Sequence, residues 1–196
     1  MKKILMVCAA MVLTTGAFAQ VQWGAKAGLN LADFSNVDES KMKPSFHIGA
    51  FADIAINDFL SFQPELMYSR QGTFFKETYE GETYKDWARY DYINLPLVFK
   101  FYIAEKLSVD VGPQFGFVIN ASAKYDWPGE SGTEDIDSDM YESFDVSAAM
   151  GLTYRVCRNI DVYARYNLGL TNVNKEEGDN TKIKNNVIQV GVGYRF

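Results

Sequence analysis

The sequence predicts an all-β protein, an eight-stranded antiparallel up-and-down transmembrane β-barrel. Three observations carry this. Apolar and polar residues alternate with period two through most of residues 22–196, as they do in a strand whose successive side chains point to opposite faces. One of the two faces holds no charged residue. The glycines that fall within strands gather on the other face.

Each strand repeats the pattern. The first, 22–31, sets Trp23, Ala25, Ala27, Leu29 and Leu31 against Gly24, Lys26 and Gly28. The second, 45–56, sets Phe46, Ile48, Ala50, Ala52, Ile54 and Ile56 against His47, Gly49 and Asp53. The third, 60–70, sets Leu60, Phe62, Pro64, Leu66 and Tyr68 against Glu65. The fourth, 90–103, sets Ile93, Leu95, Leu97, Phe99 and Phe101 against Lys100. The fifth, 107–121, sets Leu107, Val109, Val111, Pro113, Phe115, Phe117 and Ile119 against Asp110, Gly112 and Gly116. The sixth, 144–155, sets Phe144, Val146, Ala148, Met150, Leu152 and Tyr154 against Asp145, Gly151 and Arg155. The seventh, 160–172, sets Ile160, Val162, Ala164, Tyr166, Leu168 and Leu170 against Asp161, Arg165 and Gly169. The eighth, 186–196, sets Ile188, Val190, Val192, Tyr194 and Phe196 against Gly191, Gly193 and Arg195.

The first-named face has 45 positions and no charge. A Lys or Arg facing lipid at mid-depth costs about 2–4 kcal/mol, so a lipid-facing surface excludes them. A soluble barrel with that face inside is the competing arrangement, and the nine strand glycines, all on the polar face, argue against it. The bore of an eight-stranded barrel is only wide enough for side chains to fill, so small residues there make room for large ones. Trp23, Phe101, Tyr154 and Phe196 fall at one end of the strands and Phe46, Tyr68 and Phe144 at the other, as interfacial girdles do. Pro64, Pro96 and Pro113 lie inside strands, where a bulge or a missing ladder bond is expected.

Short connections (57–59, 104–106, 156–159) alternate with long ones (32–44, 71–89, 122–143, 173–185). That is the outer-membrane barrel pattern, with short periplasmic turns and long external loops. An even strand number puts both termini in the periplasm. Export has its own signal. Lys2 and Lys3 precede the apolar run Ile4 to Leu13, and Ala17-Phe18-Ala19 forms a cleavage site. Residues 1–19 are therefore expected to be a signal peptide and 20–196 a single outer-membrane barrel domain. Removal of the signal takes the net charge from −6 to −8. An acidic chain lacks the basic face of a nucleic-acid binder. Cys157 alone remains, so no intrachain disulfide is possible.

The inward face carries Asp53, Glu65, Asp110, Asp145 and Asp161 against Lys26, Lys100, Arg155, Arg165 and Arg195, with His47 among them. Equal numbers suit a filled, ion-paired interior, because buried charges need partners. No wide channel is expected; a narrow small-solute path is the alternative.

Several stretches resemble a known family. They are Ser61-Phe62-Gln63-Pro64-Glu65-Leu66-Met67-Tyr68-Ser69-Arg70-Gln71-Gly72, Tyr92-Ile93-Asn94-Leu95-Pro96-Leu97, Gly112-Pro113-Gln114-Phe115-Gly116-Phe117, and Ala164-Arg165-Tyr166-Asn167-Leu168-Gly169-Leu170-Thr171-Asn172. They look like the PorT-like outer-membrane β-barrel family of the Bacteroidetes type, also called porin family. The resemblance covers essentially all of 20–196 and implies the fold and the membrane; a secretion role is not carried over with it. Tyr194 and Phe196 look like the aromatic last strand read by barrel-assembly machinery.

Enzyme chemistry has little support. Ser45 and His47 share a face, yet no Gly-x-Ser-x-Gly elbow accompanies them. A lipid-modifying enzyme is a distant alternative. Segment 122–143 carries a net charge of −6. Its Asp135, Asp137 and Asp139 space oxygens like the start of a calcium loop. However, Met140 replaces the sixth-position Gly and Val146 the closing Glu, so no metal site is expected. Loose divalent-cation binding that bridges lipopolysaccharide phosphates stays open. Tyr79, Tyr84, Trp87, Tyr125, Trp127 and Tyr141 in the long segments are candidate contact residues, since aromatics dominate binding hot spots. The segment with Tyr125, Trp127, Asp135, Asp137 and Asp139 is the candidate contact loop. The expectation is a non-enzymatic, cofactor-free scaffold, surface-contact or envelope accessory protein. Its expected partners are outer-membrane lipid, lipopolysaccharide, barrel-assembly machinery and an unidentified envelope or external protein.

Overall fold

The computed structural model describes residues 21–34, 41–79, 82–136, 141–172 and 184–196. The expected signal peptide, 1–19, lies outside the described residues. The strands are β1 (Val21–Phe34), β2 (Lys41–Asn57), β3 (Leu60–Tyr79), β4 (Glu82–Ala104), β5 (Leu107–Trp127), β6 (Glu130–Asp135), β7 (Phe144–Arg155), β8 (Ile160–Gly169) and β9 (Asn185–Arg195). Eight of them pair in the cyclic order β1-β2-β3-β4-β5-β7-β8-β9, and β9 returns to β1. The closing seam is antiparallel, from Gly24↔Arg195 to Phe34↔Asn185.

β6 stands outside the ring and, among the described residues, pairs only with the far end of β5, from Ser122↔Asp135 to Trp127↔Glu130. Two expected long loops are thus largely strand. Segment 71–89 continues the β3–β4 ladder from Gln71↔Tyr90 to Tyr79↔Glu82. Segment 122–143 contains the rest of β5, a turn at Pro128-Gly129, and β6. Cross-strand aromatic pairing explains the extension: the Phe74 and Trp87 rings lie 5.3 Å apart on paired residues. The turn explains the return, because Gly129 has φ +85° after a proline, the requirement of a type II turn. A four-stranded sheet, β3-β4-β5-β6, therefore projects beyond the barrel end opposite the short turns. The seventh expected strand ends at Gly169 instead of Asn172.

Polarity is inverted relative to a water-soluble fold. Lys26, His47, Glu65, Lys100, Asp110 and Arg165 are buried, while Leu29, Leu66, Ile119 and Leu170 are more than half exposed. Along β8 the burial alternates without a break. The expected inside and outside faces are those observed.

Glycine placement follows from filling the bore. A Cβ at Gly24 would lie 2.3 Å from the Phe51 ring, one at Gly28 would lie 2.8 Å from His47, and one at Gly191 would lie 2.6 Å from the Tyr163 hydroxyl. The prolines leave gaps in the ladders without shifting them. β3 and β4 keep one register but skip pairs between Pro64↔Leu97 and Met67↔Asn94. β4 and β5 skip pairs between Pro96↔Gln114 and Phe99↔Val111. A one-residue shift does occur elsewhere, between Asp91↔Asn120 and Tyr92↔Val118. It exchanges the faces of β5 beyond Ile119, so Tyr125 and Trp127 continue the inward face and Lys124 the outward one.

Gly24→Ala should destabilise the barrel by about 1–3 kcal/mol through overpacking against Phe51. Gly193→Ala should be nearly neutral, because its Cβ would meet nothing closer than 3.6 Å. Reversible urea unfolding in lipid vesicles measures both.

Candidate functional site

Three charge clusters and a polar chain fill the bore. At its centre Glu65 on β3 binds Lys26 on β1, with Lys26 Nζ to Glu65 Oε1 at 2.5 Å. Arg165 on β8 clamps the same carboxylate with two bonds, at 2.9 and 2.8 Å. β3 and β8 are four places apart in a ring of eight, so this planar two-bond pair crosses the full diameter. Lys26 also donates to Gln63 Oε1 at 3.0 Å and stands over the rings of Tyr163 and Phe51 at 4.8 and 5.2 Å.

His47 joins this centre through neutral groups. Its Nε2 pairs with the Tyr163 hydroxyl and its Nδ1 with Asn30 Oδ1 at 2.7 Å. Asn30 also donates to Ser69 Oγ at 2.9 Å and accepts from Gln189 Nε2 at 3.0 Å. Ser45 donates to the Arg70 carbonyl at 2.6 Å, an acceptor it shares with Asn30 at 2.8 Å.

Nearer the termini, Arg195 binds Asp161 at 2.6 Å and Asp53 at 3.2 Å. Arg155 approaches Asp161 at 3.6 Å, with its side chain one-third exposed. The third cluster pairs Lys100 with Asp110 at 3.4 Å, and Asp110 also accepts from Thr153 at 2.6 Å. The expected single network is thus divided. Asp145 belongs to none of the clusters: among the described residues it is held by the Thr171 hydroxyl at 2.6 Å and by no ion pair. It sits close to the β7 start, out of reach of the central bases.

The mouth is aromatic. Tyr125 and Trp127 stand 5.0 Å apart on the inward face of the projecting sheet, with Tyr84 edge-on to Trp127 at 6.4 Å. Trp127 Nε1 donates to Asp86 Oδ1 at 3.0 Å. An open groove of about 450 Å³ is lined by Tyr125, Trp127 and Asp86 with Phe75, Ala88, Ala123, Glu130 and Glu134, and its wall also includes Trp87 and Lys124. Asp135 is exposed at the end of β6. Asp137 and Asp139 lie outside the described residues. At the opposite end Tyr194 and Phe196 face outward, edge to face at 5.8 Å. The Phe196 N–H donates to the Trp23 carbonyl at 2.9 Å, which ties the C-terminus to the seam.

Residues 18–175 match the family described as Outer membrane protein beta-barrel domain. The chain belongs to this family. No functionally curated protein matches the chain by sequence. Solved structures share the fold of this outer-membrane barrel. Ail of Yersinia pestis, solved with the heparin analogue sucrose octasulfate, is 16% identical over 90% of this chain and 99% of its own, with a TM-score of 0.51. Neisserial surface protein A is 19% identical over 91% and 99%, with a TM-score of 0.50. A major outer membrane protein of Thermus thermophilus is 12% identical over 90% and 100%, with a TM-score of 0.56. At such identities the likeness is one of fold.

Sequence reasoning missed the inward aromatics of this outer-membrane barrel. Phe51 and Tyr163 sit at inward positions of their strands and are buried, and the glycines opposite them were the available signal. It also missed the Arg70–Asp91 pair, Nε to Oδ1 at 2.8 Å, on the outward face beside Tyr68. Directly paired residues on β3 and β4 placed the two together.

Glu65→Ala leaves two buried cations without their carboxylate and should cost about 3–5 kcal/mol. Lys26→Met combined with Glu65→Ala should recover part of that loss. A double-mutant cycle of unfolding free energies measures the coupling.

Proposed function

We propose that this outer-membrane barrel is a non-enzymatic, non-conducting scaffold that carries a rigid sheet for surface contact outside the cell. The carrying observation is the Lys26–Glu65–Arg165 cluster, which braces the bore across its full width. The mouth groove of Tyr125 and Trp127 is the contact surface in this reading, with an external or envelope protein as its partner. The non-enzymatic part is supported by His47, whose two ring nitrogens are committed to Asn30 and Tyr163, and by Ser45, whose hydroxyl is committed to a backbone carbonyl.

The finer assignments belong to the same proposal. The chain is exported by residues 1–19, and Tyr194 and Phe196 present the assembly signal. Its termini are periplasmic and its projecting sheet external, with kinship to the PorT-like group. A narrow channel is the second reading. One observation favours it: inside the barrel Gln63 Nε2, Asn94 Nδ2 and both amide ends of Asn167 have no hydrogen-bond partner among the described residues.

Planar-bilayer recording decides between the two. The wild type should give no stable conductance steps, and Glu65→Ala or Arg165→Ala should introduce them; stable wild-type steps would establish the channel. Orientation has an internal control in Cys157, exposed in a short turn. A membrane-impermeant maleimide on intact cells should label Ser131→Cys on β6 and leave Cys157 unlabelled until the envelope is permeabilised.

A further inference from the structure

The outward face of the projecting sheet carries cations where the outward face of the barrel carries only apolar groups. On β3 this face runs Leu66, Tyr68, Arg70, Gly72, Phe74, and on β4 it runs Ile93, Asp91, Arg89, Trp87, Lys85. On β5, beyond the register shift, it runs Asn120, Ser122, Lys124, Asp126. Register stacks these into levels. Arg70 faces Asp91, Gly72 faces Arg89, Phe74 faces Trp87, and Trp87 faces Lys124.

The lowest level marks where the lipid band ends. Phe46 and Tyr68 pack at 5.8 Å, and the Arg70 guanidinium covers the Phe46 ring at 5.5 Å while donating to the Tyr68 hydroxyl at 3.1 Å. An aromatic pair capped by an arginine is the arrangement of a membrane–water interface. From Arg70 to the Phe74 level is four residues, roughly 13 Å along the strand.

Two of the three described carboxylates on this face are already engaged; the third, exposed Asp135 on β6, lies one strand beyond Ser122, the residue paired with Arg89. Asp91 accepts from Arg70 at 2.8 Å, and Asp126 accepts from Lys85 at 3.4 Å. Arg89 and Lys124 make no ion pair among the described residues; Lys124 stands over the Trp87 ring at 5.4 Å. Gly72, directly opposite Arg89, places no side chain over it. A Cβ there would meet the Ala88 carbonyl at 2.0 Å. Two cations with no ion pair among the described residues thus flank the Phe74–Trp87 pair in a chain of net charge −6.

We propose that Arg89 and Lys124, with Trp87 and Phe74, bind the phosphorylated sugar headgroup of an outer-leaflet glycolipid. The acyl chains would lie against Leu66 and Ile93 below. A phosphomonoester accepts charge-assisted hydrogen bonds from both cations, and the indole and phenyl faces pack against the apolar face of a pyranose. Continuity with the lipid band selects a membrane lipid over a free anion. The sugar-binding aromatics, and the external orientation proposed above, select a glycolipid over an inner-leaflet phospholipid.

The full-length mature barrel in detergent tests this by native mass spectrometry with bisphosphorylated lipid A. Dephosphorylated lipid A and phosphatidylglycerol are the comparison lipids. Arg89→Gln/Lys124→Gln should weaken bisphosphorylated lipid binding at least tenfold, with unchanged heat-modifiable gel mobility showing an intact barrel. Arg158→Gln, in an exposed turn at the other end, should leave binding unchanged. Dephosphorylated lipid should bind the wild type as weakly as bisphosphorylated lipid binds the double variant. Equal binding by wild type and double variant would overturn the site, as would indifference to the phosphates. Phosphatidylglycerol binding as tightly, with the same loss in the double variant, would overturn the glycolipid assignment. The binding is read in detergent, so a failed orientation would show separately in the maleimide labelling.

Discussion

Closure of eight strands into a ring leaves a bore only about one side chain deep from each wall, and that volume governs most of the sequence. No backbone donor or acceptor on the lipid side can seek water, so every strand must find two neighbours. The seam between β1 and β9 supplies the last pair. With the wall complete, everything inward must fit a fixed space. Large groups such as Phe51 and Tyr163 occupy it only where Gly24 and Gly191 stand aside. Charges at its centre occupy it in pairs or triads, because an unpaired ion there would lack both water and a counter-charge. The outward face answers to the opposite demand and is greasy up to the level of Tyr68, where the Arg70–Asp91 pair begins the charged part.

Much of this was legible before any coordinates. Period-two alternation gave the barrel strands, and the uncharged 45-position face gave inside and outside. Glu65, Lys26 and Arg165 were identifiable as inward ions from parity alone. Their convergence was not, since parity says which way a side chain points but not at what depth another strand presents its partner. Depth depends on register and shear, and only the paired strands fix those. Asp145 shows the cost: it has the right parity but the wrong height, and a threonine hydroxyl serves it instead.

The projecting sheet was missed for a different reason. Its strands leave the membrane, so neither face is uniformly apolar and the alternation that marked the barrel fades. Pairing there rests on aromatic contacts across β3, β4 and β5 and on a proline-glycine turn. The turn residues were visible as Trp127-Pro128-Gly129-Glu130, a stronger hairpin signal than the acidic composition around them suggested. A one-residue shift at Ile119 then reverses which residues face the axis, and local pattern alone does not disclose it.

The salt link between β3 and β8 also has a mechanical consequence. A hoop of staves joined only along their edges can flatten into an oval by small hinge movements at each joint. Arg165 and Glu65 tie opposite staves with two parallel bonds, and Lys26 adds a second tether to the same anchor. The wall is therefore trussed from within as well as bonded around its rim. Lateral squeezing by the surrounding bilayer meets a spoke at mid-height, so the cross-section keeps its roundness and the sheet mounted above keeps its aim.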